Sequence, residues 1–506
     1  MFVTCSSTAM ASRSLVLSLL VLMTAPTADG QALCNIANRL SQFFPRAFSN
    51  RVTTLCRAWT SEAITTHSFS GVGIQSSVRG GVGENLLPVY SQTPQVCRSP
   101  VVRKEVRTLT DAEWRRFVNA VIQLKRTPQG QSNAYDEFAI IHNATTAPQA
   151  HFTAMFLPWH REYLFRFENA LRQIDCSIAI PYWDVTLEAP LPEGRDSILW
   201  TDYYYGSSVG PVTSGPFRNW RIPPEVVQWV ADTGVERGEN FNYGDILYRT
   251  LGTQGGGFFP NDIVQEIFRA RRFRELTWAV DPLLEAVHAG PHVFTGGHHA
   301  ILLSASFDPI FWIYHSFIDC LWEEWRQNYQ QADPETDYVT LDSELASDQE
   351  LAPYARANAP MLPFGPPLRN SDGLRNIYTQ RYYRCARRPT CSANSLDCGS
   401  PYLFCDTRSY SCVSQIQQGG NCTGFEGNSR ACFSSVCCNG VCSASCGPPP
   451  REPVPAPGTD CDRTGCKINA RDDYNRQRTS NNRPPTFMDH IRRLDNFVSN
   501  LERRIF

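Results

Sequence analysis

Apolar residues recur at helical spacing in several stretches between residues 101 and 384. The first stretch is LTDAEWRRFVNAVIQLKRT, in which Trp114, Phe117 and Val121 predict one buried face of a helix. Thr110 or Asp111 supplies the capping signal at its start. YDEFAIIHN predicts a short second helix, and HREYLFRFENALRQID predicts a third with an apolar face. This period indicates a mainly α domain.

Two more helices are predicted where Asp-Pro precedes an apolar run, in DPLLEAVHAGPHVF and DPIFWIYHSFIDCLWEEWRQNY. Aspartate is expected as the N-cap and proline as the first helical residue. The stretch from 187 to 265 is rich in turn residues and aromatics, and it predicts loops that wrap around the helices. We therefore expect residues 101–384 to form one domain with a four-helix-bundle core and long wrapping loops.

A short apolar run close to the N-terminus, LVLSLLVLM, follows an arginine and precedes small residues. Ala28 and Gly30 stand three and one positions before a cleavage site at Gln31. The run is too short to cross a bilayer, and no later stretch of the sequence is long and apolar enough for a transmembrane helix. We interpret residues 1–30 as a secretory signal peptide. The alternative is an N-terminal buried helix.

The chain contains nineteen cysteines, and thirteen of them fall between Cys385 and Cys466. This density is typical of proteins from an oxidising compartment. Residues 385–446 are predicted to form a cysteine-rich module that depends on disulfides, because its own hydrophobic core would be small. Residues 31–100 contain three cysteines and are predicted to form loops that disulfides tie to the main body.

The last predicted segment, residues 447–506, combines a proline-rich linker with a polar tail that ends in a stretch of helical periodicity. Sequons begin at Asn143 and Asn421, which fits a secreted glycoprotein. A glycan on Asn143 would crowd the neighbouring His142, so we expect lower occupancy there than the motif alone suggests.

Charge excludes two classes of partner. The formal net charge is −2, and the 506 residues contain no block rich in lysine or arginine. The sequence therefore argues against nucleic acid and against an anionic membrane surface as partners.

Six of the ten histidines form two triplets inside aromatic stretches of the predicted domain. The triplets are His142, His151 and His160, and then His288, His292 and His315. Neutral imidazole is a ligand that suits copper, zinc, iron and nickel. Two separate sets of three nitrogens predict two metal ions held face to face, which indicates a redox protein rather than a binding module.

The predicted helices allow each triplet to converge. His288 and His292 are four residues apart and share one helical face, whereas the third ligand of that set comes from the next helix. In the first set, we expect His142 to close one helix, His151 to lie in a loop and His160 to open the next helix. Helical bundles build metal sites in their cores from such facing positions.

Two less specific interpretations explain the triplets poorly. A zinc metalloprotease requires glutamate after the first histidine of HExxH, but Ala289 follows His288. Six histidines that are merely hydrogen-bonded in a polar core would not be expected to fall into two equivalent triplets with FLPWHR and DPIFW beside them.

FLPWHREYL and DPIFWIYHSFIDCLW resemble the two copper-binding signatures of the tyrosinase, catechol oxidase and haemocyanin superfamily. The resemblance covers roughly residues 101–384. The signal peptide, the RKEVRTLTDAEW lead-in, the PYWD segment and the cysteine-rich C-terminal region look most like secreted invertebrate tyrosinases, such as molluscan shell-matrix tyrosinase-like proteins.

The resemblance implies two copper ions and oxidation of a phenol or an o-diphenol to an o-quinone with dioxygen. His142, His151 and His160 match the ligands of the first copper, and His288, His292 and His315 match those of the second. Tyr314 replaces the first histidine of a pair that is common at the last position. His298 and His299 fall at a turn of the family pattern and are expected to be neighbours of the site rather than ligands.

Other positions carry further expectations. Asp308 and Asp319 are candidates to orient imidazoles through hydrogen bonds, with N-capping as the stronger role for Asp308. Glu285 matches a glutamate that holds a water in family members active on monophenols, so it is our candidate catalytic residue. The asparagine that accompanies this glutamate is replaced by Ala289, so we expect diphenol oxidation to be favoured over monophenol hydroxylation.

Two more departures from the family pattern concern sulfur and charge. Gln149 stands where some members, molluscan haemocyanins among them, have a cysteine that forms a thioether with the middle ligand. Cys320 replaces an arginine after Asp319, which predicts a changed pattern of salt bridges without loss of copper.

Three functions compete. The first is a secreted dicopper oxidase that makes quinones for cross-linking or pigmentation of an extracellular matrix such as shell, acting on small phenols or on tyrosine and DOPA residues of matrix proteins. The second is a haemocyanin-like oxygen carrier, and the third is a matrix protein with weak activity. The cysteine-rich module could also act as a lid or pro-segment over the site.

Overall fold

The structure is a computed structural model that describes Cys97 and residues 99–129, 132–207, 209–237, 240–253 and 255–446. The predicted signal peptide, almost all of the predicted segment 31–100 with its cysteines Cys34 and Cys56, and the predicted linker and tail of residues 447–506 lie outside the described residues.

Helices dominate the described residues, as the sequence predicted. The α-helices are α1 Asp111–Arg126, α2 Ala134–Ala139, α3 Phe156–Ile174, α4 Pro224–Arg237, α5 Asn261–Ile267, α6 Leu283–Thr295, α7 Ile310–Asn328 and α8 Ala352–Ala355. Nearly every residue of α3 and α7 is buried, and these two helices pack against each other at the centre of the core. The predicted mainly α fold, in which helices surround the histidines, is confirmed.

The strands are short and form two-stranded pairs. They are β1 Val101–Arg103, β2 Pro128–Gln129, β3 Ser132–Asn133, β4 Val209–Pro211, β5 Tyr248–Thr250, β6 Tyr383–Cys385, β7 Leu403–Asp406, β8 Ser411–Ser414, β9 Val436–Cys438 and β10 Val441–Ser443. β1 pairs with β6 in parallel, whereas β2 with β3, β4 with β5, β7 with β8 and β9 with β10 are antiparallel. No helix in the described part of the chain has the length and hydropathy needed to cross a membrane.

The start of α1 follows from a capping box. The hydroxyl of Thr110 accepts from the backbone N–H of Glu113 at 3.3 Å, and the Glu113 carboxylate accepts from the backbone N–H of Thr110 at 2.9 Å. Trp114, Phe117 and Val121 are buried, as their spacing predicts. The helix lies against α2 and α3 through this face.

Four predicted helix boundaries are wrong by one to four residues. α3 begins at Phe156, so His160 lies in its second turn. Proline is tolerated at position 158 in the first turn, because the backbone N–H groups of that turn have no partner within the helix. α2 ends at Ala139, which places His142 beyond the helix rather than at its last residue. α6 and α7 begin one residue after the proline of each Asp-Pro pair.

The stretch from 187 to 265 is more ordered than the predicted loops. It contains α4, the first turn of α5 and the β4–β5 pair. α4 begins at Pro224, which is favourable at the first helical position, and it buries Val226 and Val230 four residues apart.

Seven disulfides pair every cysteine in the described residues. Five of them lie inside the predicted cysteine-rich module, and the others tie the chain to the helical domain. The bonds are Cys97–Cys176, Cys320–Cys385, Cys391–Cys405, Cys398–Cys412, Cys422–Cys437, Cys432–Cys442 and Cys438–Cys446. The C-terminal region is therefore rich in disulfides, and Cys97 of the predicted lead segment is bonded to the helical domain, as the sequence predicted.

The cysteine-rich module packs against residues 196–198 of the helical domain. The Ser197 and Ser414 hydroxyls lie 2.8 Å apart, and the backbone N–H of Asn421 donates to the Asp196 carboxylate at 2.7 Å. Ile198 donates its backbone N–H to the carbonyl of Gln415 at 2.9 Å. These polar contacts fix the module beside the helical domain.

Candidate dinuclear metal site

The first predicted triplet converges in the structure. The Nε2 atom of His142 lies 3.1 Å from Nε2 of His151 and 3.3 Å from Nε2 of His160. Two of these rings are fixed from behind: Nδ1 of His142 is 3.0 Å from the carbonyl oxygen of Leu302, and Nδ1 of His160 is 2.7 Å from that of Phe156. A helix, a loop and the residues after α2 each supply one ring.

The second predicted triplet converges in the same way. Nε2 of His292 lies 3.0 Å from Nε2 of His288 and 3.2 Å from Nε2 of His315, and the last two are 3.3 Å apart. Nδ1 of His292 is 3.0 Å from the carbonyl oxygen of His299, and Nδ1 of His288 is 3.2 Å from that of Glu285. His288 and His292 come from adjacent turns of α6, and His315 comes from α7.

The donor set of each triplet fits one metal ion. A ring that donates Nδ1–H to a carbonyl carries its lone pair on Nε2. Three such nitrogens around an ion at about 2.0–2.1 Å, at tetrahedral angles, would be about 3.3–3.4 Å apart. The observed spacings of 3.0–3.3 Å are close to this value. Without a cation, three lone pairs would point at one another.

Protonation does not compete with a metal at these rings. Burial lowers the pKa of His142 to about 3 and the pKa of His292 to about 4, and it lowers the pKa values of the other four rings as well. Neutral imidazole is the form that binds metal ions.

The two triplets face each other. The rings of His160 and His315 stack with their centroids 4.4 Å apart and their planes 15° apart. Phe311 packs against His315 at 4.1 Å and against His142 at 4.8 Å, and so touches both sets. Two ions bound to these sets would be neighbours inside one apolar enclosure.

The expectation that aspartates orient the imidazoles is wrong. The two carboxylate oxygens of Asp308 accept from Arg249 at 2.7 Å each, and one of them also accepts from the backbone N–H of Ile310 at the start of α7. Asp319 accepts from Arg103 and Arg161. Both carboxylates neutralise buried arginines, and main-chain carbonyls hold four of the six rings instead.

His298 and His299 are neighbours of the second triplet and do not belong to it. Nδ1 of His298 accepts from the backbone N–H of Tyr248 at 3.0 Å. The ring of His299 stacks on His292 with centroids 4.2 Å apart. Tyr314 donates its hydroxyl to the carbonyl of His288 at 2.7 Å, which fixes the turn of α6 that bears this ring.

Comparisons with known proteins agree on one family. A family model described as the common central domain of tyrosinase matches residues 132–328, which include both triplets. A tyrosinase-like protein of Caenorhabditis elegans is 36% identical over 367 residues, 69% of this chain and 49% of that protein. A tyrosinase-like protein of Pinctada maxima is 31% identical over 349 residues, 63% of this chain and 68% of that protein. The chain belongs to the tyrosinase family.

The chain spans about half the length of its nematode relative in this alignment, 49%. Among solved structures, a polyphenol oxidase from Thermothelomyces thermophila aligns with a TM-score of 0.46 at 21% identity, over 60% of this chain and 93% of that one. Tyrosinase-family proteins hold a dicopper centre, and the two triplets of this chain could hold two metal ions.

The departures from the tyrosinase-family pattern have structural counterparts. Gln149 donates its side-chain amide to the carbonyl of Leu362 at 2.9 Å, where a thioether cysteine would otherwise lie. Cys320 is bonded to Cys385 of β6. Asp319 forms its salt bridges with Arg103 of β1 and Arg161 of α3.

Glu285 lies in the first turn of α6 and is only 8% exposed. One carboxylate oxygen accepts from the backbone N–H of Phe152 at 2.6 Å, and the other accepts from the indole N–H of Trp278 at 2.8 Å. The pKa of Glu285 is raised to about 7, because burial outweighs the lowering effect of these two donors. Because a carboxylate has about four acceptor positions, two remain for other donors.

Solvent reaches the tyrosinase-family site from one side. His142 and His315 are each 1% exposed, whereas His292 is 9% exposed and His151 is half-buried. Ala289, next to the first ligand position of α6, is also half-buried. A substrate that approaches this site would therefore pass the His151 side of the first triplet and the exposed edge of α6.

The glycine-rich loop at residues 255–257 packs against α6. The backbone N–H of Gly257 donates to the carbonyl of Gly290 at 3.2 Å, which is next to the helical proline Pro291. A Cβ on Gly256 would lie 2.5 Å from both the Gly290 oxygen and the Phe294 nitrogen, and this glycine has a φ of +69°. Only glycine fits here without displacement of the helix.

We expect Gly256→Ala to weaken binding at the second triplet, because a methyl group here would push on the helix that carries His288 and His292. Overpacking against backbone costs about 1–3 kcal/mol in the free energy of unfolding. The measurements are metal content per chain and chemical unfolding. Gly257→Ala is the matched control, since a Cβ there has nothing within 4 Å. Equal behaviour of the two variants would contradict this prediction.

Proposed function

We propose that this protein is a secreted copper-dependent oxidase that converts o-diphenols to o-quinones with dioxygen. The observation that carries the proposal is the pair of facing triplets, with His160 stacked on His315 between them. Membership of the tyrosinase family supports copper as the metal. We assign His142, His151 and His160 to the first copper ion, and His288, His292 and His315 to the second.

The chain's own groups would hold the metal ions and exclude water. Copper in such a site supplies the redox chemistry that a protein side chain lacks. Main-chain carbonyls behind His142, His160, His288 and His292 fix the rings so that their Nε2 atoms converge. Phe311 closes the interior between the two sets. A phenol ring would enter beside α6, where the site is open.

Substrate preference follows from the residues beside the second copper. Ala289 offers no side-chain group to accept or donate a proton where an amide would help to deprotonate a monophenol. Glu285 remains our candidate for holding a water there. We therefore propose o-diphenols as the main substrates, with monophenols converted less well.

The setting of this activity is an extracellular matrix. The signal-like N-terminus, the seven disulfides and the similarity to a molluscan tyrosinase-like protein support secretion. We propose cross-linking or pigmentation of such a matrix, in which tyrosine or DOPA residues of matrix proteins would be substrates together with small phenols.

We expect the purified, copper-loaded protein to oxidise catechol clearly faster than it hydroxylates tyrosine, because the second copper lacks an amide neighbour. The measurement is initial rate with each substrate under air, together with near-ultraviolet absorption that appears with dioxygen. Reversible oxygen binding without catechol turnover would favour an oxygen carrier. Equal efficiency on both substrates would contradict the proposed role of Ala289, and binding of zinc alone would contradict the dicopper assignment.

A further inference from the structure

The opening of the site is framed by two aromatic side chains from distant parts of the sequence. Phe152 directly follows the ligand position His151, and Trp278 precedes α6 by five residues. Both side chains are half-buried, whereas most aromatic residues around the triplets are fully buried. Their rings meet edge to face, with centroids 6.1 Å apart and planes at 61°. They form what we call the aromatic wall.

The backbone of Phe152 is held in an unfavourable conformation. Its φ of +60° is in the left-handed region, which aromatic residues with a Cβ rarely adopt. Hydrogen bonds fix it on both sides: its N–H donates to Glu285 at 2.6 Å, and its carbonyl accepts from the N–H of Ser347 at 2.9 Å. Such strain persists where the surroundings determine the conformation, and it is frequent at functional sites.

Glu285 also holds the ring of Trp278. The indole N–H of Trp278 donates to the other carboxylate oxygen of Glu285 at 2.8 Å. Glu285 therefore joins Phe152, Trp278 and the first turn of α6, which bears His288 one turn later. The wall is fixed relative to the second triplet through one side chain.

We propose that Glu285 is a positioning residue that fixes Phe152 and Trp278 as a wall against which the ring of an aromatic substrate packs on entry. This inference rests on the proposed function and adds a specificity determinant to it. Edge-to-face contact with a planar ring favours unsubstituted or flat catechols. The wall contributes to binding rather than to the redox step, because neither Phe152 nor Trp278 has a side-chain atom that could bind copper.

The test compares Glu285→Gln and Trp278→Phe with the unaltered chain in copper-loaded form. A glutamine has one acceptor oxygen, so one of the two N–H groups loses its partner. Trp278→Phe keeps an aromatic ring but removes the indole donor. We expect KM for catechol to rise about 2–10-fold in each variant, with copper content and near-ultraviolet absorption retained. The kcat for catechol should change much less, because the water that we assign to Glu285 serves the deprotonation of a monophenol.

Two comparisons separate this role from general destabilisation. Trp229→Phe, at a half-buried tryptophan of α4, is the matched control and should leave KM unchanged. The double variant with both changes should raise KM less than the product of the two single effects, since both act on one anchor. Unchanged KM in both single variants would overturn the proposal. Loss of copper, or a fall in kcat alone, would also overturn it.

Binding of benzoate, which has no hydroxyl group to oxidise, supplies a measurement that does not depend on turnover. The dissociation constant of benzoate for the copper-loaded chain should rise by a similar factor in Glu285→Gln and Trp278→Phe when measured by calorimetry. If the unaltered chain fails to oxidise catechol, the proposed function fails, and the benzoate series still decides whether the wall binds an aromatic ring. Equal benzoate affinity in all variants would overturn the wall.

Discussion

His292→Asn will lower the copper content from two ions per chain to one and abolish the oxidation of catechol. The side-chain amide of asparagine can still donate to the carbonyl of His299, the acceptor that now lies 3.0 Å from Nδ1. What disappears is the Nε2 lone pair, which lies 3.0–3.2 Å from the other two ligand nitrogens of its set. An amide oxygen is a poor substitute, because copper prefers imidazole.

The size of this effect follows from the contribution of a bound metal ion. Metal coordination stabilises transition-state charge by several kcal/mol, and a loss of about 4 kcal/mol lowers a rate about 1000-fold. The first triplet should still bind its ion, because all three of its rings remain, as do the main-chain acceptors of His142 and His160. Copper per chain is measured by elemental analysis, and activity by catechol oxidation under air.

His298→Asn is the matched control for this prediction. His298 is fully buried and lies six residues away from His292 on the chain, but its Nδ1 accepts from the N–H of Tyr248. The side-chain oxygen of asparagine can take over that bond. The control should keep two copper ions and most of its activity. If both variants lose one ion, the distinction between ligands and buried neighbours is wrong.

The candidate ligands could be found from sequence because their signals are local. Histidines four apart on one helix, such as His288 and His292, share a face whatever the rest of the chain does. Flanking runs such as FLPWHREYL carry the family resemblance within a few residues. Helix ends were harder, since the start of α3 depends on how Pro158 is accommodated in its first turn.

Groups that hold the ligands could not be predicted, because they come from main-chain atoms or from distant segments. The rings are fixed by carbonyls such as that of Leu302, and a carbonyl has no sequence signature. Phe152 meets Glu285 across 133 positions, and Arg103 meets Asp319 across 216. Spacing identifies neighbours on one element, whereas these contacts exist only after the tertiary fold has formed.

A buried network of charges joins the two central helices beneath the ligands. Asp319, one turn after His315 on α7, accepts from Arg161 of α3 at 2.7 Å and from Arg103 of β1 at 2.9 Å. Both arginines are fully buried, and Asp319 is 3% exposed. Tyr383 of β6 also donates its hydroxyl to this carboxylate. Arg161 directly follows His160, so the network connects both sides of the stacked ring pair.

Asp319→Asn is expected to lower the free energy of unfolding by about 3–5 kcal/mol, the usual cost of removing one partner from a buried ion pair. Asparagine has nearly the same shape, so the loss is of charge rather than of packing. The two arginines would keep other carboxylates, Glu168 for Arg103 and Glu323 for Arg161, but both would lack the shared anion between them. Chemical unfolding of the copper-loaded protein measures this change.

Asp342→Asn makes a matched control, because Asp342 pairs with Arg356 at the surface, where each side chain is 51% exposed. Water replaces that interaction, so the control should unfold almost as the unaltered chain does. Added salt should also weaken the surface pair but leave the buried network intact, because buried charges are screened much less. Similar destabilisation by both substitutions would show that the Asp319 network does not join α3 and α7 as its geometry indicates.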